Sequence, residues 1–160
     1  MTVKAIIDED FSNYRLPCLI VGTAKCDWKC CVEQHLPNRI CQNNPIAKLP
    51  NRNIPNAEIL QNFLSNPITQ AVVVAGLEPV LQKDEVLDLI RYFRQQGEMC
   101  DFVIYTGYHE YEIKDFIEQL KPLKNIILKT GRFIPNQSPH YDEILGVDLA
   151  SDNQKGVRIC

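Results

Sequence analysis

The segment Gln70-Ala71-Val72-Val73-Val74-Ala75 near the middle of the chain is followed directly by Gly76-Leu77-Glu78-Pro79. A short, continuous apolar run that is closed by glycine and proline is typical of a strand buried on both faces. Such strands occur in parallel sheets that lie against helices. The stretch therefore predicts an α/β protein, and it puts Glu78 at the carboxyl end of a buried strand.

The same kind of pattern recurs on both sides of this stretch. Four further segments have the composition of strands, and three have the apolar spacing of amphipathic helices. The predicted strands are Val3–Ile7, Cys18–Gly22, Asp101–Tyr105 and Asn125–Lys129, and the predicted helices are one capped by Asn56, one from Asp84 to Gly97 and one from His109 to Leu120. Strands that alternate with helices through short connections predict a parallel sheet covered by helices.

Two segments lack this pattern. Leu36–Pro55 is rich in proline and asparagine, which predicts a long irregular surface loop, and such loops are usually functional or mobile. The tail Gly131–Cys160 contains no clear helix and one short predicted strand at Val157–Ile159.

Residues that could bind a ligand or a metal follow three of the predicted strands. The cysteines come after the strand that ends at Gly22, Gly76 and Glu78 come after the next, and Gly107 comes after the third. Ligands of parallel α/β sheets bind outside the carboxyl ends of the strands. We therefore expect one rim of the sheet to collect the cysteine loop, a carboxylate and a glycine turn.

Length and charge narrow the class of protein. The 160 residues fit a single domain, 1–160, and the net charge of −3 without a basic stripe argues against nucleic acid as a partner. No apolar run approaches the ~20 residues that a membrane span needs, and the N-terminus turns acidic at Asp8 before a signal-peptide core is complete. We expect a cytoplasmic protein that does not act in membranes, whose seven cysteines are reduced.

The cysteines are too dense between residues 26 and 31 to serve only as core filling. Cys26, Cys30 and Cys31 lie within six consecutive positions, and Cys41 follows ten residues after Cys31. Thiolates are soft donors that select zinc, copper(I) or iron–sulfur clusters. The chain has no C-x-x-C pair, which makes a thioredoxin-type or paired zinc site less apt than a cluster.

Three thiolates around a four-iron cluster leave one iron open to a ligand. The loop from Lys25 to Glu33 resembles the C-x-x-x-C-x-x-C loop of radical S-adenosylmethionine enzymes, with Trp28 as the aromatic residue inside it. Three later segments are also similar to that superfamily and to the small activating proteins of anaerobic ribonucleotide reductase. Ala75–Leu81 resembles the G-G-E-P segment of these proteins, Ile104–Tyr108 resembles their Y-T-G-Y segment, and Gly146–Gln154 resembles their S-x-N-Q segment.

This resemblance implies a shortened, partial β/α barrel whose single domain includes a cluster loop at residues 25–41. It implies a 4Fe–4S cluster held by three cysteines, with S-adenosylmethionine bound to the fourth iron through its amino and carboxylate groups. The implied cofactor-binding residues are Gly76, Glu78, Tyr105 and Gly107, with Glu78 accepting a charge-assisted hydrogen bond from the ammonium group.

The implied activity is that of an oxidoreductase. One electron, from a flavodoxin-type donor, cleaves S-adenosylmethionine to methionine and a 5′-deoxyadenosyl radical. That radical then abstracts a glycine hydrogen from a glycyl-radical protein such as anaerobic ribonucleotide reductase. The alternatives are a radical enzyme with another peptide or small-molecule substrate, and an iron–sulfur electron-transfer or carrier protein that no longer cleaves S-adenosylmethionine.

The chain departs from the family pattern at two positions. Glu33 stands where the third loop cysteine is expected, so the third ligand is either Cys31 or Cys41, with Cys41 slightly favoured because adjacent cysteines strain the backbone when both ligate. Leu77 stands where the family has glycine, which narrows the space beside a bound S-adenosylmethionine.

Overall fold

Nine strands form one seven-stranded sheet and one two-stranded sheet in the computed structural model, which describes residues 1–160. The strands are β1 (Thr2–Asp10), β2 (Cys18–Thr23), β3 (Arg52–Asn53), β4 (Ala71–Gly76), β5 (Asp101–Tyr105), β6 (Ile126–Thr130), β7 (His140–Asp142), β8 (Val147–Leu149) and β9 (Lys155–Arg158). The helices are α1 (Lys29–Val32), α2 (Asn44–Ala47), α3 (Asn56–Ser65), α4 (Lys83–Gln95) and α5 (Lys114–Leu120).

The large sheet has the order β3-β1-β2-β4-β5-β6-β9, and its four central strands are parallel. The register aligns Val21 with Val74, Val74 with Ile104 and Ile104 with Leu128. The outer strands pair antiparallel, β1 on β2 and β9 on β6, so the sheet stays open and does not close into a barrel. The predicted α/β class and the parallel centre of the sheet are confirmed.

The helices cover only one face of this sheet. The central strands lie side by side in chain order, and because crossovers between parallel strands are right-handed, α3, α4 and α5 fall on the same side. That side holds the larger core, in which Phe93 of α4 packs against Phe63 and Phe102 with ring centroids 5.8 and 5.1 Å away. The expectation of a sheet covered by helices therefore holds for one face and is wrong for the other.

The second face carries a smaller core without any helix. Alternate strand residues such as Ile20, Val73 and Val103 pack there against Tyr14 and Leu145, which come from loops. Since no helix covers this face, space is left at its upper rim, beyond the last packed layer of apolar side chains.

Several predicted boundaries are wrong by a few residues. Asn56 is the first residue of α3 and follows the cap at Pro55, and Asp84 lies in the first turn of α4 and not at its cap. The helix predicted from His109 begins at Lys114, because the residues before it form a 3-10 turn in which Glu112 bonds back to His109.

The two segments predicted as irregular contain regular structure. Within 36–55, Pro45 lies in the first turn of α2, where proline is tolerated, and β3 pairs with β1. The tail forms the hairpin β7–β8, which the sequence analysis missed, and its last strand is β9 at 155–158 and not 157–159. Asp142 ties hairpin and tail together by accepting from the N–H groups of Leu145 and Gly156 at 2.8 and 2.7 Å.

No helix of the chain is both long and apolar enough to cross a membrane.

The aromatic contact at Phe93 predicts where the fold is most sensitive. We expect Phe93→Ala to lower the free energy of unfolding by about 3–5 kcal/mol, because it opens a cavity in a fully buried site. Phe11→Ala, at a side chain that is 64% exposed, is the control and should change it by less than about 0.5 kcal/mol. Urea denaturation measures both, and equal effects would contradict the assignment of Phe93 to the core.

Candidate metal centre

A cavity of about 280 Å³ opens at the carboxyl ends of the parallel strands, on the face without helices. Its wall includes residues from the ends of β4, β5 and β6 and from the cysteine loop. Seven of the eight residues predicted for the site line it, namely Cys26, Cys30, Cys41, Gly76, Glu78, Tyr105 and Gly107. The expected gathering of the three loops at one rim is therefore present.

Cys31 is the one predicted site residue that does not line the cavity. It is 4% exposed, and its Sγ lies 4.0 Å from the Sγ of Cys30. Cys41, although eleven residues from Cys30 in sequence, lies on the wall of the same cavity as Cys30. Of the two candidate third thiols, the structure puts Cys41 at the cavity and Cys31 beneath it.

The cysteine loop is shaped by an unusual residue. Trp28 has φ of 58°, in the left-handed region that bulky residues rarely adopt, and α1 begins directly after it. The N–H of Trp28 donates to the Sγ of Cys26 at 3.3 Å. This tight turn brings Cys26 and Cys30 to the same cavity, and an N–H bond of this kind tunes the properties of a sulfur ligand.

The three cavity thiols differ in acidity. The hydrogen bond from Cys41 lowers the pKa of Cys30, and the same bond raises the pKa of Cys41. Burial raises the pKa of Cys26 to about 11. Because a metal ligand must be a thiolate, metal binding here releases protons and is favoured by higher pH.

Glu78 is a buried carboxylate held in one orientation. It is 6% exposed; Oε1 accepts from Thr106 Oγ1 at 2.7 Å and from the N–H of Val80 at 3.0 Å, and Oε2 accepts from the N–H of Gly107 at 2.9 Å. Burial raises the pKa of Glu78, and these three donors oppose the rise. Glu78 thus caps a 3-10 turn and also faces the cavity.

Lys129 is a cavity residue that the sequence analysis missed. It is 8% exposed, and the one hydrogen bond of its Nζ is a 3.3 Å contact to the carbonyl of Gly131. Burial lowers the pKa of Lys129 to about 8, while the nearby Glu78 and Cys30 act in the opposite direction. The sequence contained one signal of its burial, a lysine at the end of an otherwise apolar strand. Lys129 lies two residues from the inward-facing Ile127 and therefore on the same face of the strand.

Arg132 organises the loops around the cavity and was also missed. Its guanidinium is 6% exposed and binds both carboxylate oxygens of Glu33, at 2.9 and 3.1 Å, together with Glu112 at 2.8 Å and the carbonyl of Gly107. Burial disfavours its charge, but the bonds to the two glutamates outweigh this and raise the pKa of Arg132. Glu33, which replaces the third loop cysteine, is thus an ion-pair residue in this structure.

Gly76 has a reason to be glycine that concerns the sheet. Its φ is 93°, and an added Cβ would lie 3.2 Å from the Cα of Gly22 on the neighbouring strand. The missing side chain therefore permits close packing of β4 on β2 at the edge of the cavity that Gly76 also lines.

The other two motif segments lie against the same site. Tyr105 lines the cavity, and its hydroxyl donates to the carbonyl of Asn13 at 2.5 Å. Gln154 lines the cavity as well. Asn153 donates to the carbonyl of Arg132 at 2.9 Å, and its Oδ1 is buried without a hydrogen-bond partner.

The donor set fits a cluster better than a single ion. No three His, Cys, Asp or Glu side chains lie close enough together to hold one metal ion, which requires zinc-to-sulfur distances of about 2.3 Å from a common point. A four-iron cluster binds each thiolate through a different iron, so its ligands stand further apart. Three thiols spread over the wall of one cavity agree with that requirement.

The ion pairs at Arg132 predict a dependence of stability on acid. Burial alone would raise the pKa of Glu112, but the hydrogen bonds from Arg132 and Lys29 lower it to about 2, from a usual value of 4.5. Because the folded pKa lies below the unfolded one, this stabilisation is complete above about pH 4.5 and is lost as the pH falls toward 2. In urea unfolding, the free energy of unfolding of Glu112→Gln should fall less steeply with decreasing pH than that of the wild type. An equal dependence on pH in the two proteins would contradict this prediction.

Comparison with known proteins gives one match. Residues 20–154 match the model of the family described as the 4Fe-4S single cluster domain, a span that contains every candidate ligand and cavity residue named above from Cys26 to Gln154. No curated protein matches the chain. The match covers most of the chain and agrees with the thiol-lined cavity, so the protein belongs to the family of 4Fe-4S single cluster domains and is an iron–sulfur protein.

Proposed function

We propose that this protein binds a 4Fe–4S cluster through Cys26, Cys30 and Cys41, and that it binds and reductively cleaves S-adenosylmethionine to activate a glycyl-radical enzyme. The observation that carries the proposal is the pair of opposite buried charges beside the thiols. Glu78, directly after β4, and Lys129, near the end of β6, line the same cavity, with β5 between their strands.

The ligand set is supported by position. Cys26, Cys30 and Cys41 share the cavity wall, whereas Cys31 is buried beside Cys30 and away from the wall. A set of three thiolates leaves one iron of a four-iron cluster without a protein ligand, and that vacancy is where a small molecule with oxygen and nitrogen donors binds. In this proposal the third thiolate therefore comes from Cys41 on the long loop and not from Cys31 in α1.

The charges suit the amino-acid end of S-adenosylmethionine. An α-amino acid carries an ammonium group and a carboxylate on one carbon, and the cavity offers a carboxylate at Glu78 and an ammonium at Lys129. A buried charge without a full partner is costly, so an ion of opposite sign binds with a charge-assisted bond. Lys129, with one long hydrogen bond, has donors free for this role.

The chain's own residues then perform the positioning. Three donors fix Glu78, so it meets an ammonium group without reorganising, and Tyr105 and Gly76 form the wall beside it. When bound and reduced, the cluster supplies one electron to the sulfonium, which yields methionine and a 5′-deoxyadenosyl radical. Glu78 and Lys129 are both less than a tenth exposed, so their charges act on a bound ion with little screening by water.

The protein partner rests on the resemblance of two segments. Ile104–Tyr108 and Gly146–Gln154 are similar to the activating proteins of anaerobic ribonucleotide reductase, and both contribute residues to the cavity wall. This supports a glycyl-radical protein as substrate, with a flavodoxin-type protein as electron donor.

A second candidate function is favoured by Leu77. Its position in the wall carries a side chain where the radical enzymes have glycine, which leaves less room for S-adenosylmethionine. A cluster carrier or electron-transfer protein would need the three thiols but not that room. The two functions differ in whether S-adenosylmethionine is consumed.

The ligand assignment predicts different effects for the two alternative cysteines. After anaerobic reconstitution with iron and sulfide, Cys41→Ala should lose most of the cluster absorbance and iron, because only two thiolates remain at the cavity. Cys31→Ala is the matched control and should retain wild-type iron content. The reverse pattern would assign the third ligand to Cys31.

The charge pair predicts how cleavage responds to substitution. Reduced, reconstituted protein should form 5′-deoxyadenosine from S-adenosylmethionine, and Lys129→Met should weaken S-adenosylmethionine binding by about tenfold or more through loss of one charged hydrogen bond. Lys121→Met, on an exposed side chain, is the control and should bind as wild type does. An intact wild-type cluster that forms no 5′-deoxyadenosine would reject the radical activity and favour the carrier.

A further inference from the structure

Two consecutive residues of the cysteine loop bind two consecutive residues after β6. Glu33 forms its two-pronged ion pair with Arg132, and Gln34 Nε2 donates to the carbonyl of Phe133 at 2.7 Å. The same Nε2 also donates to the carbonyl of Cys30 at 2.7 Å. We name the set Glu33, Gln34, Arg132 and Phe133 the loop latch.

The latch acts on the segment that needs it most. α1 has only four residues, begins at the strained Trp28 and holds two of the four loop cysteines. A helix of that length has little stability of its own, so its position depends on tertiary contacts. The Cys30 end is fixed through Gln34, and the following turn is fixed through Glu33.

The latch also connects the cysteine loop to the cavity carboxylate. Arg132 donates to the carbonyl of Gly107, and the N–H of Gly107 donates to Glu78 at 2.9 Å. Lys29, at the start of α1, pairs with Glu112, which in turn binds Arg132 at 2.8 Å. One buried guanidinium therefore has hydrogen bonds to both sides of the cavity.

We propose that Glu33 is a positioning residue, which holds Cys30 and the Trp28 turn at the cavity through Arg132 and with the help of Gln34. Position 33 is where the C-x-x-x-C-x-x-C pattern has its third cysteine, which would hold the loop by binding the cluster. In this chain the ion pair of Glu33 holds the loop at that position, and the third thiol comes from Cys41. The inference rests on the cluster-binding part of the proposed function and is independent of S-adenosylmethionine cleavage.

The first experiment uses the metal-free protein and hydrogen exchange. Glu33→Gln keeps the shape of the side chain but removes its charge, and because Glu33 is about half exposed the variant should fold. We expect the amides of residues 28–36 to exchange about fivefold faster, as expected when a partly exposed ion pair that limits local opening is weakened. Gln34→Ala should act in the same direction, and Glu118→Gln, which breaks the exposed pair with Lys121, should leave these amides unchanged.

The second experiment uses the reconstituted protein and its reduction potential. The N–H bond from Trp28 to Cys26 lies in the latched segment, and hydrogen bonds to cluster sulfurs set the potential. Glu33→Gln should therefore shift the midpoint potential and the electron paramagnetic resonance spectrum of the reduced cluster, while Glu118→Gln should not. A merely structural role far from the cluster would not move either quantity.

Each outcome decides the inference. Exchange of residues 28–36 at the wild-type rate in Glu33→Gln would overturn the latch, and faster exchange with an unchanged potential would overturn its positioning role. If the wild-type protein assembles no cluster, the proposed function is rejected. The positioning role of Glu33 is then rejected as well, because there is no cluster for it to position.

Discussion

The structure depends on the right-handed crossover between parallel strands. Because β2, β4, β5 and β6 follow each other in space as they do in sequence, the crossover helices α3, α4 and α5 lie on one face of the sheet. The opposite face is packed only by loop residues and a hairpin, and its rim stays open at the carboxyl ends of the strands. The cavity, the cysteine loop and both buried charges occupy the place that this constraint leaves free.

The cavity concentrates charge where water is scarce. Glu78, Lys129 and Arg132 are each less than a tenth exposed, and each would be costly to bury alone. Arg132 is fully paired and Glu78 is satisfied by neutral donors, whereas Lys129 has a single weak acceptor. The pairing of these buried charges is therefore uneven, and Lys129 has the fewest hydrogen bonds of the three.

The sequence predicts the framework well and the site only in part. Continuous apolar runs such as Ala71–Ala75 identify buried strands because burial on both faces leaves no room for polar residues. Cys26, Glu78 and Gly107 are found at one rim because strand ends of a parallel sheet converge. Arg132 and Lys129 escape notice, since a charge that is buried by residues distant in sequence has no local pattern.

The same reason explains why the hairpin in the tail was missed and why spacing alone left both Cys31 and Cys41 open as the third thiol. The hairpin β7–β8 is held by Asp142 and by packing of Leu145, so its short, polar strands carry no alternation that a sequence pattern shows. The approach of Cys41 to Cys30 results from the path of the whole segment between them. Loop closure of this kind depends on tertiary contacts, which spacing alone does not reveal.

Cys41 lies on the long segment after α1, so a group held by both Cys30 and Cys41 would cross-link that segment to α1. A group that binds Cys30 and Cys41 together closes a loop in the unfolded chain and lowers its conformational entropy, as a disulfide between them would. The loop between these residues would then be stabilised by whatever joins the sulfurs, and loss of that group would free the stretch that holds the 3-10 turn Asn38–Ile40. With the proposed cluster bound, the thiol of Cys41 would in this way also restrain the segment that follows α1.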